Sequence, residues 1–272
     1  MMLFASLRRR WLTLFWFALS GGSLCLACEE IAAPTADELM QRAVTHAETL
    51  DAAQANGGFA YRKVSVIEEL DSSGKVKERK ERVYKVSHRA GLTHTKLLQV
   101  NGNLPARADI KEQAENDTNV RHCFGSSKPA RDPESFLTAD LVARFAFSLV
   151  GKTNINERAA YEITFQPRLP EQPARSIVDR VLNRISGTLW LDTEDFEVAR
   201  ADIRLGSEVD LLWGVAGCLK KLVYTVTRTR VGDGVWLNSF SSGDFEGRKL
   251  LEPMRLKMRT QISDFQRLKA ES

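Results

Sequence analysis

The sequence has 272 residues, 43% of them hydrophobic, with 39 Lys and Arg against 35 Asp and Glu. Three of those arginines, Arg8, Arg9 and Arg10, lie in the first 27 residues, which hold no acid, so the remainder sets 36 basic residues against 35 acidic ones. A body so close to neutral excludes an electrostatic case for binding nucleic acid, while its apolar content is ample for an ordinary core.

The chain opens on the secretory order of charge, short apolar core and small residues. Arg8–Arg10 are followed by the apolar run Trp11–Leu19, then Ser20-Gly21-Gly22, then Cys25-Leu26-Ala27-Cys28. The run is well short of the roughly 20 residues of a membrane span, which leaves an uncleaved anchor as the lesser alternative. Residues 1–27 are therefore expected to be a signal peptide and 28–272 one exported domain, in the periplasm or at the outer membrane. Cleavage after Ala27 gives a soluble periplasmic protein. Leu26-Ala27-Cys28 also resembles the end of a lipobox, which would acylate Cys28 and tether the chain to a membrane; Cys25 departs from the usual Leu. Once the signal is removed, Cys28, Cys123 and Cys218 remain. With Cys28 acylated, Cys123 and Cys218 form a candidate disulfide in an oxidising compartment; two separate buried thiols are the alternative.

Thr35-Ala36-Asp37-Glu38 reads as a capping box, and Leu39, Met40, Ala43, Ala47 and Leu50 recur behind it at helical spacing. A helix is predicted over Ala36–Gln54, stopped at Asn56-Gly57-Gly58. The period then changes to two. Phe59–Leu70 and Lys75–His88 are predicted strands joined by the turn Asp71-Ser72-Ser73-Gly74. The second carries Lys75, Lys77, Arg79, Lys80, Arg82 and Lys85. These could read an anion, but a solvated, mixed-charge edge strand is the plainer interpretation. Leu92–Val100 continues the pattern. Helices are expected over Ala106–Glu115 and Ser135–Phe145, as an insertion between strands.

Strands resume at Phe145–Val150 and Tyr161–Gln166, with a short helix at Ile177–Leu182. Six more follow: Gly187–Asp192, Val198–Leu205, Val209–Trp213, Leu219–Val231, Val235–Phe245 and Leu250–Ile262. Alternation is cleanest in the last, where Met254, Leu256, Met258, Thr260 and Ile262 oppose Arg255, Lys257, Arg259 and Gln261. Strands in series with one apolar face, and no βαβ alternation, predict a mainly β, α+β fold built on an antiparallel sheet.

Catalytic and metal signatures are lacking. His46, His88, His94 and His122 stand in no metal-binding spacing, and no phosphate loop, nucleophile elbow or cofactor motif occurs. Asp192, Glu194, Asp195 and Glu197 form the densest acidic set. It could hold a hard cation or serve a hydrolase, but a solvated turn between strands is the simpler reading. Trp190, Trp213 and Trp236 could line a sugar or lipid site, though strand aromatics are more often core.

Several segments together resemble the LolA/LolB-like superfamily, specifically outer-membrane lipoprotein-sorting proteins. They are Phe147–Lys152, Ala160–Pro167, Ile185–Asp192 with Asp195-Phe196, Leu219-Lys220-Lys221 and Gly234–Leu237. The likeness covers most of residues 35–268 and rests on strand pattern, with no catalytic signature. It implies a strongly curved antiparallel sheet, an incomplete barrel with helices covering its concave face. It further implies a non-enzymatic carrier or chaperone that holds lipoprotein acyl chains or lipid in an apolar concavity. Sensor members of that superfamily regulate envelope stress, so an envelope-stress sensor or scaffold domain of the same fold is the alternative to a carrier, ahead of a hydrolase. Under this resemblance the apolar strand phases make Leu189, Leu191, Ile203, Leu205, Met254, Leu256 and Met258 the candidate lipid-binding residues. Met254 and Met258 also suit a pocket of variable content.

Overall fold

Thr35 and Glu38 start the fold. The Thr35 hydroxyl accepts a hydrogen bond from the Glu38 N–H at 3.2 Å, and the Glu38 carboxylate accepts one from the Thr35 N–H at 2.9 Å. Two orphan donors are satisfied reciprocally, and helix α1 runs over Ala36–Gln54 as its spacing predicts. Leu39, Met40, Ala43 and Val44 form its buried stripe. In this computed structural model, residues 33–54, 58–89, 92–113, 137–211, 217–231, 234–249 and 252–268 are described. The signal segment, Cys28, Cys123 and Trp213 lie outside them.

The strands are β1 (Gly58–Leu70), β2 (Val76–Arg89), β3 (Leu92–Val100), β4 (Phe145–Ile155), β5 (Arg158–Pro167) and β6 (Ile185–Asp192). Then come β7 (Val198–Leu205), β8 (Val209–Leu211), β9 (Gly217–Arg230), β10 (Trp236–Lys249) and β11 (Glu252–Leu268). Three short helices complete the set: α2 over residues 107–113, α3 at Ala139–Ala143 and α4 at Ile177–Leu182. Every pairing is antiparallel, in the order β3-β2-β1-β11-β10-β9-β7-β6-β5-β4, with β8 beside β9. The sheet is curved and not closed into a barrel, and β3 and β4 are its edges.

Turns follow the residues expected to make them. The Asp71 carboxylate accepts from the N–H groups of Ser73 and Lys75, at 2.8 and 3.0 Å, and Gly74 takes a positive φ of 84°. The ends of several strands differ from the periodicity. β4 continues to Ile155, β10 to Lys249 and β11 to Leu268, because backbone ladders persist where side chains no longer alternate. β2 is an edge for only part of its length. β3 pairs along its outer side from Arg82 to Arg89, while Val76–Glu81, with Lys77, Arg79 and Lys80, has no strand on that side among the described residues. The edge reading of its charges is thus corrected for Arg82 and Lys85 alone.

Register separates the two faces, since residues directly opposite in an antiparallel ladder point the same way. One rung runs Leu149–Ile163–Leu189–Ala201–Val226–Ser241–Thr260–Ser65–Arg82. The next runs Ser148–Thr164–Thr188–Asp202–Thr225–Ser242–Arg259–Val66–Glu81 on the other face, almost wholly polar. The first face is the inner one. Over β4–β7 it packs on Leu39, Met40 and Ala43 of α1, with Ile163, Leu189, Leu191 and Phe145 as the sheet's share of the core and Leu141 and Leu182 at its margin. A second, smaller cluster gathers Phe59, Tyr61, Val86 and Leu237.

Candidate functional site

The inner face changes character between β7 and β10. Beneath α1 it is closed: Ile163 and Leu191 are 0% exposed. Farther along the sheet Tyr224, Phe245, Met254, Leu256, Met258 and Ile67 are all partly exposed, and none belongs to either core cluster. The principal strand packing of α1 and α3 is against β4. What remains is a trough, a partly exposed strip of the inner face on β9, β10, β11 and β1. It is apolar along the rung of Tyr224, Met258 and Ile67 and polar along that of Ser241, Thr260 and Ser65.

Two glycines on one inner-face rung shape this surface, Gly187 on β6 in the packed half and Gly243 on β10 in the open half. The rung Phe165–Gly187–Ile203–Tyr224–Gly243–Met258–Ile67 crosses it. A Cβ on Gly187 would stand 2.0 Å from the Asp202 carbonyl oxygen and 3.0 Å from the Phe165 ring. One on Gly243 would stand 2.5 Å from the Phe245 ring and 3.1 Å from that of Tyr224. The rings lie over positions that carry no side chain.

The candidate residues fall into three zones. Leu189 and Leu191 are core beneath α1; Ile203 and Leu205 pack at its margin. Met254, Leu256 and Met258 share the open trough, Met258 opposite Ile67 and Gly243, Leu256 opposite Phe245. Cys218 is buried on β9 and has no disulfide partner among the described residues. A hydrogen bond to the Glu208 carboxylate, together with burial, pushes its thiol pKa up. Its proposed partner Cys123, like Cys28, lies outside the described residues.

The sequence reading missed a cationic end to the trough. Lys80 and Arg82 pair in register with Ile67 and Ser65, so they share the inner face. The Lys80 ammonium and the Arg82 guanidinium each reach the Glu112 carboxylate of α2 at 2.6 Å. Hydrogen bonds from Lys80 and then Arg82 hold the Glu112 carboxyl below its usual pKa. A signal was present: Lys80 and Arg82 are in phase with Tyr84, Val86 and His88, the inward series of the same strand.

The acidic set is an ion-pair network. Asp192 is 1% exposed. Its carboxylate takes two hydrogen bonds from Arg158 and two more from the N–H groups of Glu194 and Asp195. Asp195 receives the Trp236 indole N–H at 2.9 Å and Arg230 at 2.8 Å, and Glu197 pairs with Arg228. These carboxylates are spent on arginines and turn donors. Among the described residues no group of three His, Cys, Asp or Glu could hold a metal. Trp190 is flanked by Arg200, whose guanidinium lies 5.1 Å from its ring centroid. His88 stacks on Phe59 and bonds Thr93.

Among the described residues no helix is long and apolar enough to cross a membrane. No protein-family model and no curated protein matches the sequence. Solved structures do. A LolA superfamily protein from Nitrosomonas europaea is 11% identical, over 86% of this chain and 94% of that one, at a TM-score of 0.34. A DUF1329 family protein from Desulfovibrio piger is 13% identical, over 84% and 92%, at 0.33. An outer membrane lipoprotein-sorting protein domain from Vibrio parahaemolyticus is 10% identical, over 86% and 95%, at 0.34. The solved structures to which this open antiparallel sheet is similar include a LolA superfamily protein, a DUF1329 family protein and a lipoprotein-sorting domain.

Proposed function

We propose that this chain is an exported, non-enzymatic carrier or chaperone that shelters lipoprotein acyl chains or lipid in the trough. The observation behind this reading is the half-open inner face. Met254, Leu256, Met258, Ile67 and Phe245 stay partly exposed on a sheet whose opposite face is polar. Each CH₂ that an acyl chain buries there contributes about 0.8 kcal/mol without any directed polar contact. In this reading residues 1–27 are removed on export. Acylation of Cys28 would make the protein a tethered acceptor, and cleavage without acylation a soluble shuttle.

Gentle purification of the mature protein, followed by native mass spectrometry and lipid extraction, tests the reading. Co-purified lipid and saturable uptake of a fluorescent fatty acid are expected. Protein that carries no lipid and takes up no fatty acid would refute it.

A further inference from the structure

Arg82 is an unusual residue to find beneath a helix at the end of an apolar trough. It is 9% exposed, and its Nε is buried with no hydrogen-bond partner among the described residues. Only its Nη2 reaches the Glu112 carboxylate, at 2.6 Å; Lys80 holds the other carboxylate oxygen at the same distance, and Asp109 stands 3.7 Å from Lys80. An oxyanion is therefore already seated between these cations. It comes from a side chain that is 45% exposed and belongs to a short helix.

The surroundings continue the pattern. Ser65 lies opposite Arg82, Thr260 opposite Ser65, and Ser241 opposite Thr260, all on the inner face. The Thr260 hydroxyl is 3.4 Å from that of Ser65. The neighbouring rung carries Lys80, Ile67 and Met258. Two cations thus stand at one end of two adjacent rungs, one lined with hydroxyls and the other apolar, so an amphiphile's head would meet the cations while its chain lies along the apolar lane.

An ion pair alone explains this poorly. Burying a guanidinium is costly, and apolar residues of similar size commonly give equal or greater stability. A planar fork with one buried donor left open instead suits a ligand with two oxygens, which would engage Nε and Nη2 together.

We propose that Lys80 and Arg82 are the head-group site for an amphiphile carrying a carboxylate or phosphate at the end of its acyl chain, and that Glu112 is the internal stand-in this head displaces. The inference rests on the acyl-binding reading and adds a ligand class to it: anionic amphiphiles over neutral ones of equal chain length.

The test uses the delipidated mature protein with cis-parinaric acid and its methyl ester, which share one fluorescent chain and differ in head charge. The wild type should bind the acid roughly tenfold tighter than the ester, as expected for a charge-assisted bidentate contact. Glu112→Gln, at an exposed position, should tighten binding of the acid several-fold and leave the ester unchanged. Lys80→Met and Arg82→Gln should erase the preference, with circular dichroism confirming the fold; Lys80 is the less buried of the two and guards against a misfolded Arg82 variant. Millimolar inorganic phosphate should not displace the acid. Displacement by phosphate would show that a free anion suffices and would overturn the head-group assignment. Equal binding of acid and ester by wild type and Glu112→Gln would overturn it while leaving the carrier reading intact. Binding of neither probe would end both.

Discussion

Arg158 closes on Asp192 with two parallel hydrogen bonds, Nε to Oδ2 at 2.6 Å and Nη2 to Oδ1 at 2.8 Å. This pair ties the start of β5 to the end of β6 and also anchors the turn that follows, whose N–H groups point at the same carboxylate. Removing the arginine alone would leave a buried, unpaired charge. Arg158→Met should therefore cost about 3 kcal/mol in chemical denaturation at neutral pH, and the added change Asp192→Asn should restore part of that loss.

The same pair predicts how stability follows pH. Burial pushes the Asp192 carboxyl up, but hydrogen bonds from Arg158 and from the N–H groups of Asp195 and Glu194 outweigh it and hold the pKa below the usual value. The folded state thus binds this proton less tightly than the unfolded chain does. The stabilisation is complete above the unfolded pKa of about 3.9 and is lost as pH falls through the lower folded one. In Arg158→Met the two arginine hydrogen bonds are lost while burial and the N–H donors of Glu194 and Asp195 remain, so the folded pKa rises toward the unfolded one and less of this site's stabilisation is left to lose on acidification. Urea midpoints measured from pH 7 down to pH 3 should show the deficit of the variant shrinking on acidification; a deficit that stays constant would contradict the assignment.

Gly187 and Gly243 share a rung but should respond differently to alanine. At Gly187 the new Cβ meets a backbone oxygen at 2.0 Å, which cannot move without distorting β7; a loss of at least about 2 kcal/mol is expected. At Gly243 it meets the far ends of the Phe245 and Tyr224 rings, which can rotate into the open trough, so about 1 kcal/mol or less is expected. Thermal melts of the two variants check the order.

Leu189 and Leu256 form a second contrast. Leu189 lies in the closed core, and Leu189→Ala should cost about 2–5 kcal/mol. Leu256 is partly exposed in the trough, so Leu256→Ala should cost less than about 1.5 kcal/mol and weaken acyl-chain binding roughly three- to tenfold. Denaturation beside a fluorescent-lipid titration separates the effects. A large loss of stability at Leu256 with unchanged lipid affinity would make that position packing alone.

Membrane attachment through Cys28 has its own test. Under the proposed acylation, Cys28→Ala should move the protein from the membrane to the soluble periplasmic fraction, because acyl chains on that sulfur would be the anchor. A wild type that is already soluble would show that no lipid is attached.

Much of the fold was legible because local rules and tertiary packing agree. The Thr35–Glu38 box set the start of α1, and period-two alternation located most strands, with α4 and β7 starting and ending where the pattern does. Pairing order was not legible: nothing in a strand's own sequence says that β11 lies between β1 and β10. That order decides the site. Met258 belongs to the trough because Ile67 and Gly243 flank it, and Lys80 because it sits opposite Ile67. The charges of β2 read as solvent-facing for the same reason, since the helix that answers two of them is some thirty residues away in sequence, at Glu112. The acidic set, by contrast, reads as a solvated turn in sequence, yet Asp192 and Glu197 are buried, because Arg158, Arg228 and Arg230 reach the set from other strands.

Gly243 and Gly247 also make β10 a fold line. The strand carries two register shifts against β9, one between Asn238 and Phe240 and one between Glu246 and Gly247. A Cβ on Gly247 would stand 2.2 Å from the Cys218 carbonyl oxygen. Irregularities and missing side chains on a concave surface are where a sheet bends most cheaply. β10, with its inward glycines, gives the sheet a place to curve between the half that packs on α1 and the half that stays partly exposed. Widening the trough then means flexing one strand, with the core under α1 left as it is. Under the proposed acyl-chain reading, chains of different girth would call for a change of angle at β10, with the packed half keeping its neighbours.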